Sequence, residues 1–280
     1  MESKLAQIAE KKIQLFEREF LKLNQVDCLV THRFGPGVYI REVILPAGAC
    51  VIGHYHKHPH ISIMLKGRMS LINDDDTFTD LEAPITLHCP PGRKIAIIHE
   101  DVIWQNIYST DITDVEFLED ALFEKSSAWQ THQTSSKLLL EPYIDDVDDF
   151  TLALQECGFN PDEVRRISED ETDLIPMPWG SFKFMTAPSP IEGKGIFATA
   201  NIEPGEHIGP ARIAGKRTPL GRYTNHAKKP NAEMIAFDTG NIALVATQFI
   251  AGSKGGNMGD EITVDYRKVI ELNRRLACQQ

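Results

Sequence analysis

The amino-acid sequence predicts a mainly β, α+β protein: two β-rich modules on either side of an acidic helical connector. Three observations carry this reading. Between about residues 27 and 118, short β-branched and apolar runs (GVYIREVILPAG, HISIMLKGRMSLI, APITLHCPPG, KIAIIH, VIWQNIYS) are broken by Gly and Pro at regular intervals. Beyond PMPWG the same texture returns in GIFATANIEPGEHI, NIALVATQFIAG and GDEITVDY. Between the two, residues 141–173 hold twelve acidic side chains against only Arg165 and Arg166, a net of −10 in a chain whose total is −11. With 280 residues there is room for two cores. The expected division is an N-terminal helix over 1–26, a barrel-like module over 27–125, the connector over 126–175, and a compact second β module over 176–280.

Each element has a local cause. Leu5, Ile8, Ala9, Ile13, Phe16, Phe20 and Leu23 recur at three- and four-residue spacing, which predicts an amphipathic helix that packs on the adjoining barrel or on a second subunit. In the first β module, PAG, KG and PPG at the breaks fit a sandwich or small barrel. The connector reads as two short helices. The first stops at Cys157 and Gly158, and the second starts at Asn160 and Pro161 with Asp162 and Glu163 at the positive end of its dipole. The final KVIELNRRLACQQ predicts another short helix.

Composition removes several function classes. Outside the acidic stretch the chain is nearly neutral, which argues against nucleic acid, since phosphate binding needs a concentrated basic face. The acidic stretch itself is a solvated linker or an attractor for a basic protein partner. No apolar run approaches the roughly 20 residues of a membrane span, and MESKLAQIAEKK carries no apolar secretory core, so no membrane role and a cytoplasmic location are expected. Cys28, Cys50, Cys89, Cys157 and Cys278 are odd in number and lack CxxC spacing, so they read as ordinary reduced thiols.

The stretch GACVIGHYHKHPHISIMLKG, from Gly48 to Gly67, resembles the first motif of the cupin family, with His60 at the acidic position. Pro90-Pro91-Gly92 fits part of the second motif, although Ile95 stands where a histidine is expected. His54 and His56 alternate along a strand and so point to one side. The resemblance implies that His54, His56 and His60 hold a divalent Fe, Ni, Zn or Mn ion, with His58 and His88 as substitutes and His99 at a strand turn. A metal-free barrel with hydrogen-bonded histidines is the alternative.

Three further segments, PIEGKGIFAT (190–199), GRYTNHAKKPNAE (221–233) and GDEITVDY (259–266), resemble in order the signature segments of SET domains. That resemblance implies an S-adenosylmethionine-dependent protein-lysine N-methyltransferase. Gly193-Lys194-Gly195, lacking side chains at both glycines, lets backbone approach the cofactor. The implied cofactor contacts are Lys194, Gly195, Ile196, Phe197, Arg222, Asn225, His226 and Tyr266. Tyr266 is the implied catalytic phenol, and Tyr223 lines the lysine channel or sits in the core. Asn231 reads as a structural turn residue. Fewer than thirty residues separate Phe197 from Asn225, and the cysteine-rich tail of many SET domains is absent, so the substrate groove needs a wall from the connector, the barrel or a second subunit. The expected partner is a basic, lysine-containing protein, and the chain is expected to be a homo-oligomer whose cupin module serves metal binding, oligomerisation or recruitment. Two rivals remain: an inactive SET/cupin binding or assembly protein, and a metal-dependent cupin oxygenase with the SET domain as targeting module.

Overall fold

The computed structural model describes residues 2–73, 75, 77–138, 144–238, 240–255 and 258–278. Residues 139–143 of the expected connector, and the side chains of Leu5, Ile8 and Ala9, lie outside the described residues. The chain divides into two compact units, Met1–Glu141 with Ser253–Asn257, and Pro142–Gly252 with Met258–Gln280. This division falls inside the stretch expected as a connector. Among the described residues no helix is long and apolar enough to cross a membrane.

The first unit begins with α1 (Glu2–Phe20), followed by β1 (Leu29–Gly35), β2 (Val38–Leu45), β3 (Cys50–Ile52), β4 (Tyr55–His56), β5 (His60–Lys66), β6 (Arg68–Ile72), β7 (Phe78–Glu82), β8 (Ile85–Cys89), β9 (Ile95–Ile98) and β10 (Val102–Tyr108). After these come α2 (Val115–Leu122), β11 (Phe123–Glu124) and α3 (Ser127–Leu138). Strands β1-β2-β10-β5-β8 form one antiparallel sheet and β3-β9-β6-β7 another. Most connections pass from one sheet to the other, and β2-β10-β5-β8 facing β3-β9-β6-β7 is the strand order of an eight-stranded jelly roll, with β1 added beside β2. Met64, Met69, Leu81, Ala96, Ile98 and Val102, drawn from both sheets, form one buried cluster between them. Gly67 makes the tight β5–β6 turn with φ +90°, and a Cβ there would overlap the Asp101 carbonyl.

The register of the larger sheet decides what its inner face presents. Val43 opposes Trp104, which opposes Met64, and that row is apolar. Two residues along each strand, Arg41 opposes Asn106, which opposes Ser62. Two further on, Tyr39 opposes Tyr108, while His60 opposes Cys89. Since side chains alternate with period two, these rows share a face, and the jelly roll is apolar at one end and polar at the other. The N-terminal helix is fastened to the barrel by the buried pair of Glu17 with Arg93, whereas Phe16, expected on its packing face, stays half exposed.

The second unit contains α4 (Ile144–Cys157), α5 (Pro161–Glu169), β12 (Gly180–Phe182), β13 (Phe184–Pro188), β14 (Lys194–Ala198), β15 (His207–Ile213), β16 (Lys216–Arg217), α6 (Pro219–Tyr223), β17 (Asn225–His226), β18 (Ala232–Ala236), β19 (Ile242–Ala246), β20 (Glu261–Val264) and α7 (Tyr266–Ala277). The α5 start is as its sequence predicts: Asn160 caps it by accepting from the Asp162 amide, and Pro161 occupies the first turn. Two small sheets, β13-β14-β20-β17 and β16-β15-β19-β18, make the body. Strands β17 and β20 pair in parallel, setting Asn225 beside Thr263 and His226 beside Val264. Asn231 serves β20 as a surrogate strand edge: its Nδ2 donates to the Glu261 carbonyl at 2.8 Å and its Oδ1 accepts from the Thr263 amide at 2.9 Å. Helix α7 packs through Leu276 and Leu272 on Ala211, Ile242 and Met234.

Candidate functional site

Two clusters of chemically able side chains stand out, one in each unit. At the polar end of the barrel lies an open cleft of about 870 Å³, whose lining includes His58, His60, His88, Cys89, Pro90 and Tyr108. His56 and His60 stack with ring centroids 4.3 Å apart and planes 13° from parallel. The His56 Nδ1 is hydrogen-bonded to the Tyr108 hydroxyl at 2.6 Å. The His60 Nδ1 lies 3.1 Å from the His58 carbonyl oxygen. A carbonyl only accepts, so this nitrogen carries the proton and Nε2 keeps its lone pair. The His54 ring lies edge-on to Trp129 at 4.8 Å, and its buried Nδ1 has no partner. Burial, with the neighbouring cations, holds His54 down at about 4 and His56 at about 3, so both are neutral at physiological pH.

This geometry does not suit the metal triad expected from His54, His56 and His60. Imidazole lone pairs lie in the ring plane, so two near-parallel stacked rings cannot both aim at one ion between them. Among the described residues, no group of three or more His, Cys, Asp or Glu side chains is disposed to hold a metal ion. His88 and His58 line the cleft without completing such a group, and His99 is engaged elsewhere, with its Nε2 2.6 Å from the Ser70 hydroxyl.

What the polar end does assemble is a thiol centre around Cys89. The Sγ lies 3.4 Å from the Ser62 hydroxyl and 3.4 Å from the Lys94 ammonium, and His60 faces it across the β5–β8 pair. Burial pushes the thiol up, but its contacts with His60 and Ser62 and the Lys94 charge outweigh it and hold Cys89 at about 7. Deeper in, Arg41 Nε donates to Glu119 at 2.9 Å, with Lys125 3.6 Å from the same carboxylate. Burial pushes Glu119 up, and the two cations overcome it to hold the carboxyl at about 2.

In the second unit, the segments resembling SET signatures converge. Asn225 Nδ2 donates to Glu261 Oε1 at 2.8 Å and to the Lys194 carbonyl at 3.1 Å, tying β17, β20 and the start of β14 together. Gly195 lets Glu261 approach, since a Cβ there would overlap its carboxylate. Ile196 and Phe197 are core residues of β14, at 0% and 5% exposure, with backbone paired to β13 and β20. Tyr266 opens α7. Its hydroxyl donates to the Thr224 carbonyl at 3.1 Å, and burial pushes the phenol up to about 12. Its amide donates to His226 Nδ1 at 3.1 Å, which leaves the His226 proton on Nε2, 3.0 Å from Asp149 Oδ2. Arg267 grips the same carboxylate at 2.8 and 3.1 Å and holds Asp149 down at about 2. Phe150 closes on the Tyr266 ring at 5.7 Å. Tyr223 stands apart from this knot. It lies under Lys194 and Arg222, with ring distances of 5.8 and 5.1 Å, and its ring is half-buried.

Arg222 Nε is buried without an acceptor, while the Asn225 side chain spends its N–H groups on Glu261 and the Lys194 carbonyl. A carboxylate, such as that of an amino-acid head, is the group complementary to the Arg222 donor. Four participants escaped the sequence reading: Cys89, Lys94, Asp149 and Glu261. Only Glu261 carried a signal, its place inside GDEITVDY.

No protein-family model matches the chain, and no curated protein matches it. Among solved structures, several cupins are similar to part of the chain. An RmlC-like cupin family protein with a double-stranded β-helix fold from Methanocaldococcus jannaschii is 19% identical over 30% of this chain and 81% of its own, with TM-score 0.26. A cupin-2 domain protein from Shewanella frigidimarina is 15% identical over 34% and 92%, TM-score 0.25. A cupin domain from Bordetella pertussis is 15% identical over 31% and 98%, TM-score 0.27. The jelly-roll assignment stands on the strand order itself. These likenesses cover roughly the first third of the chain, so the second unit is read from its own residues.

Proposed function

We propose that the second unit is an S-adenosylmethionine-dependent N-methyltransferase acting on a lysine of a basic protein partner, with the cupin-like jelly roll as accessory module. The observation that carries this reading is the unspent Arg222 Nε, in the unit whose Tyr266 hydroxyl is held by the Thr224 carbonyl. Arg222 would take the cofactor's carboxylate. When bound, the cofactor supplies an electrophilic methyl group on a sulfonium.

The remaining work falls to this chain. A lysine has an ordinary pKa of about 10.4, so the site must receive it as the neutral amine, which an apolar channel favours by desolvation. The Tyr266 phenol, pushed up to about 12 by burial, stays protonated at neutral pH and is no base. Its proton is committed to Thr224 O, so its oxygen is an acceptor. An amine N–H bound there has its lone pair turned away from the phenol, toward the methyl donor, which supplies orientation rather than proton transfer. Leu15 and Phe16, exposed on α1, support association of copies of the chain. The test is calorimetric titration of the full chain with S-adenosylmethionine, followed by methyl transfer from labelled cofactor to proteins of a cell lysate. Binding with labelling of lysine is expected. Binding without labelling favours an inactive assembly protein, and absence of binding removes the reading.

A further inference from the structure

The stacked imidazoles that fail as metal ligands leave His60 with a free lone pair beside a thiol, and this suggests a different chemistry for the barrel. We propose that Cys89 and His60 form a nucleophile and base pair at the polar end of the jelly roll, and that the cleft takes a small, largely apolar α,β-unsaturated carbonyl compound which Cys89 captures by conjugate addition.

The geometry carries three of the parts such a site needs. First, nucleophile and base are cross-strand partners, His60 on β5 directly opposite Cys89 on β8, so their closeness is set by sheet register rather than by a flexible loop. Second, the base is oriented by a third group: the His58 carbonyl takes the Nδ1 proton at 3.1 Å and fixes the tautomer with Nε2 available. Stacking on His56, itself hydrogen-bonded to Tyr108, holds the ring in place. Third, the Lys94 ammonium lies 3.4 Å from Sγ, where it stabilises negative charge on sulfur before attack. Ser62 completes the surround at 3.4 Å and passes its own proton to Asn106 Oδ1 at 3.1 Å.

The cleft points to the class of reactant. Its volume of about 870 Å³ exceeds what a peroxide or a metal ion needs and lies in the range of small organic ligands. Pro59, Ile61, Pro90, Pro91, Ile107 and Leu122 supply an apolar lining. In the addition, the Sγ–H proton passes to His60 Nε2 and a new bond forms between Sγ and the β-carbon. The π pair of the alkene shifts toward the carbonyl, and the α-carbon then takes the proton back from His60. Sulfur and hydrogen have been added across the double bond, and no oxidant or leaving group is needed.

N-Ethylmaleimide is the probe, because it is an activated alkene of this kind. The full chain is reacted for graded times and each cysteine is quantified by peptide mass spectrometry, with exposed Cys50 and Cys278 as internal references. Cys89 is expected to label at least tenfold faster than either, despite its burial. His60→Asn keeps a donor for the His58 carbonyl but removes the base, and is expected to slow Cys89 at least tenfold while Cys50 and Cys278 keep their rates. Lys94→Met should slow it by a smaller factor. If Cys89 labels no faster than Cys50, or if His60→Asn leaves its rate unchanged, the pair is not a nucleophile and base. A faster reaction with hydrogen peroxide than with the maleimide would overturn the assigned reactant class.

Discussion

Removing the Asp149 carboxylate is expected to loosen the proposed cofactor site from behind. In the folded chain this side chain accepts from His226 Nε2 at 3.0 Å and is gripped by Arg267 at 2.8 and 3.1 Å. His226 is 1% exposed, so Asp149→Ala leaves a buried N–H without an acceptor, a loss of about 1–3 kcal/mol. Arg267 retains Glu156 at 2.5 Å and is partly exposed, so its share of the loss is about 0.5 kcal/mol. A total of about 1.5–3.5 kcal/mol corresponds to a fall of roughly 3–14 °C in the melting transition. The same change frees the His226 ring that receives the Tyr266 amide, so S-adenosylmethionine affinity is expected to fall as well.

Differential scanning calorimetry of the intact chain, with cofactor titration alongside, checks both effects. Asp149→Asn restores an acceptor oxygen to His226 and should recover part of the loss. The pH dependence has a definite sign. Asp149 is held at about 2, below the ordinary 3.8, chiefly by the Arg267 hydrogen bonds, so its stabilisation is complete above the ordinary value and disappears as pH falls through about 2. The gap between wild type and Asp149→Ala should therefore be constant near neutrality and close between about pH 4 and pH 2. Equal melting temperatures and equal cofactor affinity for the two proteins at pH 7 would refute the reasoning.

Two other outcomes follow from the same structure. Tyr266→Phe is expected to keep S-adenosylmethionine affinity while lowering methyl-transfer turnover more than tenfold, about 1.4 kcal/mol or more, measured by single-turnover transfer from labelled cofactor. In the barrel, Glu119→Gln leaves the buried Arg41 charge without its anion and is expected to cost about 3–5 kcal/mol by chemical denaturation, whereas the pair Arg41→Met with Glu119→Leu should recover most of that loss.

How much of this was legible in the sequence differs by level. The β texture of residues 27–118 was readable because strand alternation and Gly/Pro breaks are local, and the jelly roll follows once those strands are paired. The stop at Cys157 and the start at Asn160 were readable for the same reason. The metal triad was not, because the spacing of His54, His56 and His60 fixes which side of the strands they share but not their ring planes. Those planes are set by Tyr108 and the His58 carbonyl, partners that spacing does not reveal. Cys89 looked ordinary because its neighbours Ser62 and His60 come from another strand and its ammonium from the loop before β9. In α1, among the side chains described, the one buried most firmly is Glu17, held by Arg93 of the barrel, a partner that periodicity does not reveal.

The acidic stretch shows how charge that reads as solvation can be structural. Its net of −10 suggests an electrostatic lure for a basic protein. Yet Asp149 and Glu156 are committed to Arg267, Asp146 accepts from the Lys228 amide at 2.8 Å, and Asp173 holds Arg217 at 2.6 Å. Each of these partners belongs to the second unit, so this part of the charge fastens helix α4 and the segment after α5 to the body that carries Asn225 and Tyr266. Asp148, Asp162, Glu169 and Asp170, all exposed, remain to face solvent. Screening separates the two roles: exposed charges lose their reach beyond about 8 Å at physiological ionic strength, while paired and partly buried ones are screened far less. Salt should therefore shorten the reach of the exposed charges without releasing α4, a helix held through charges that composition alone would assign to water.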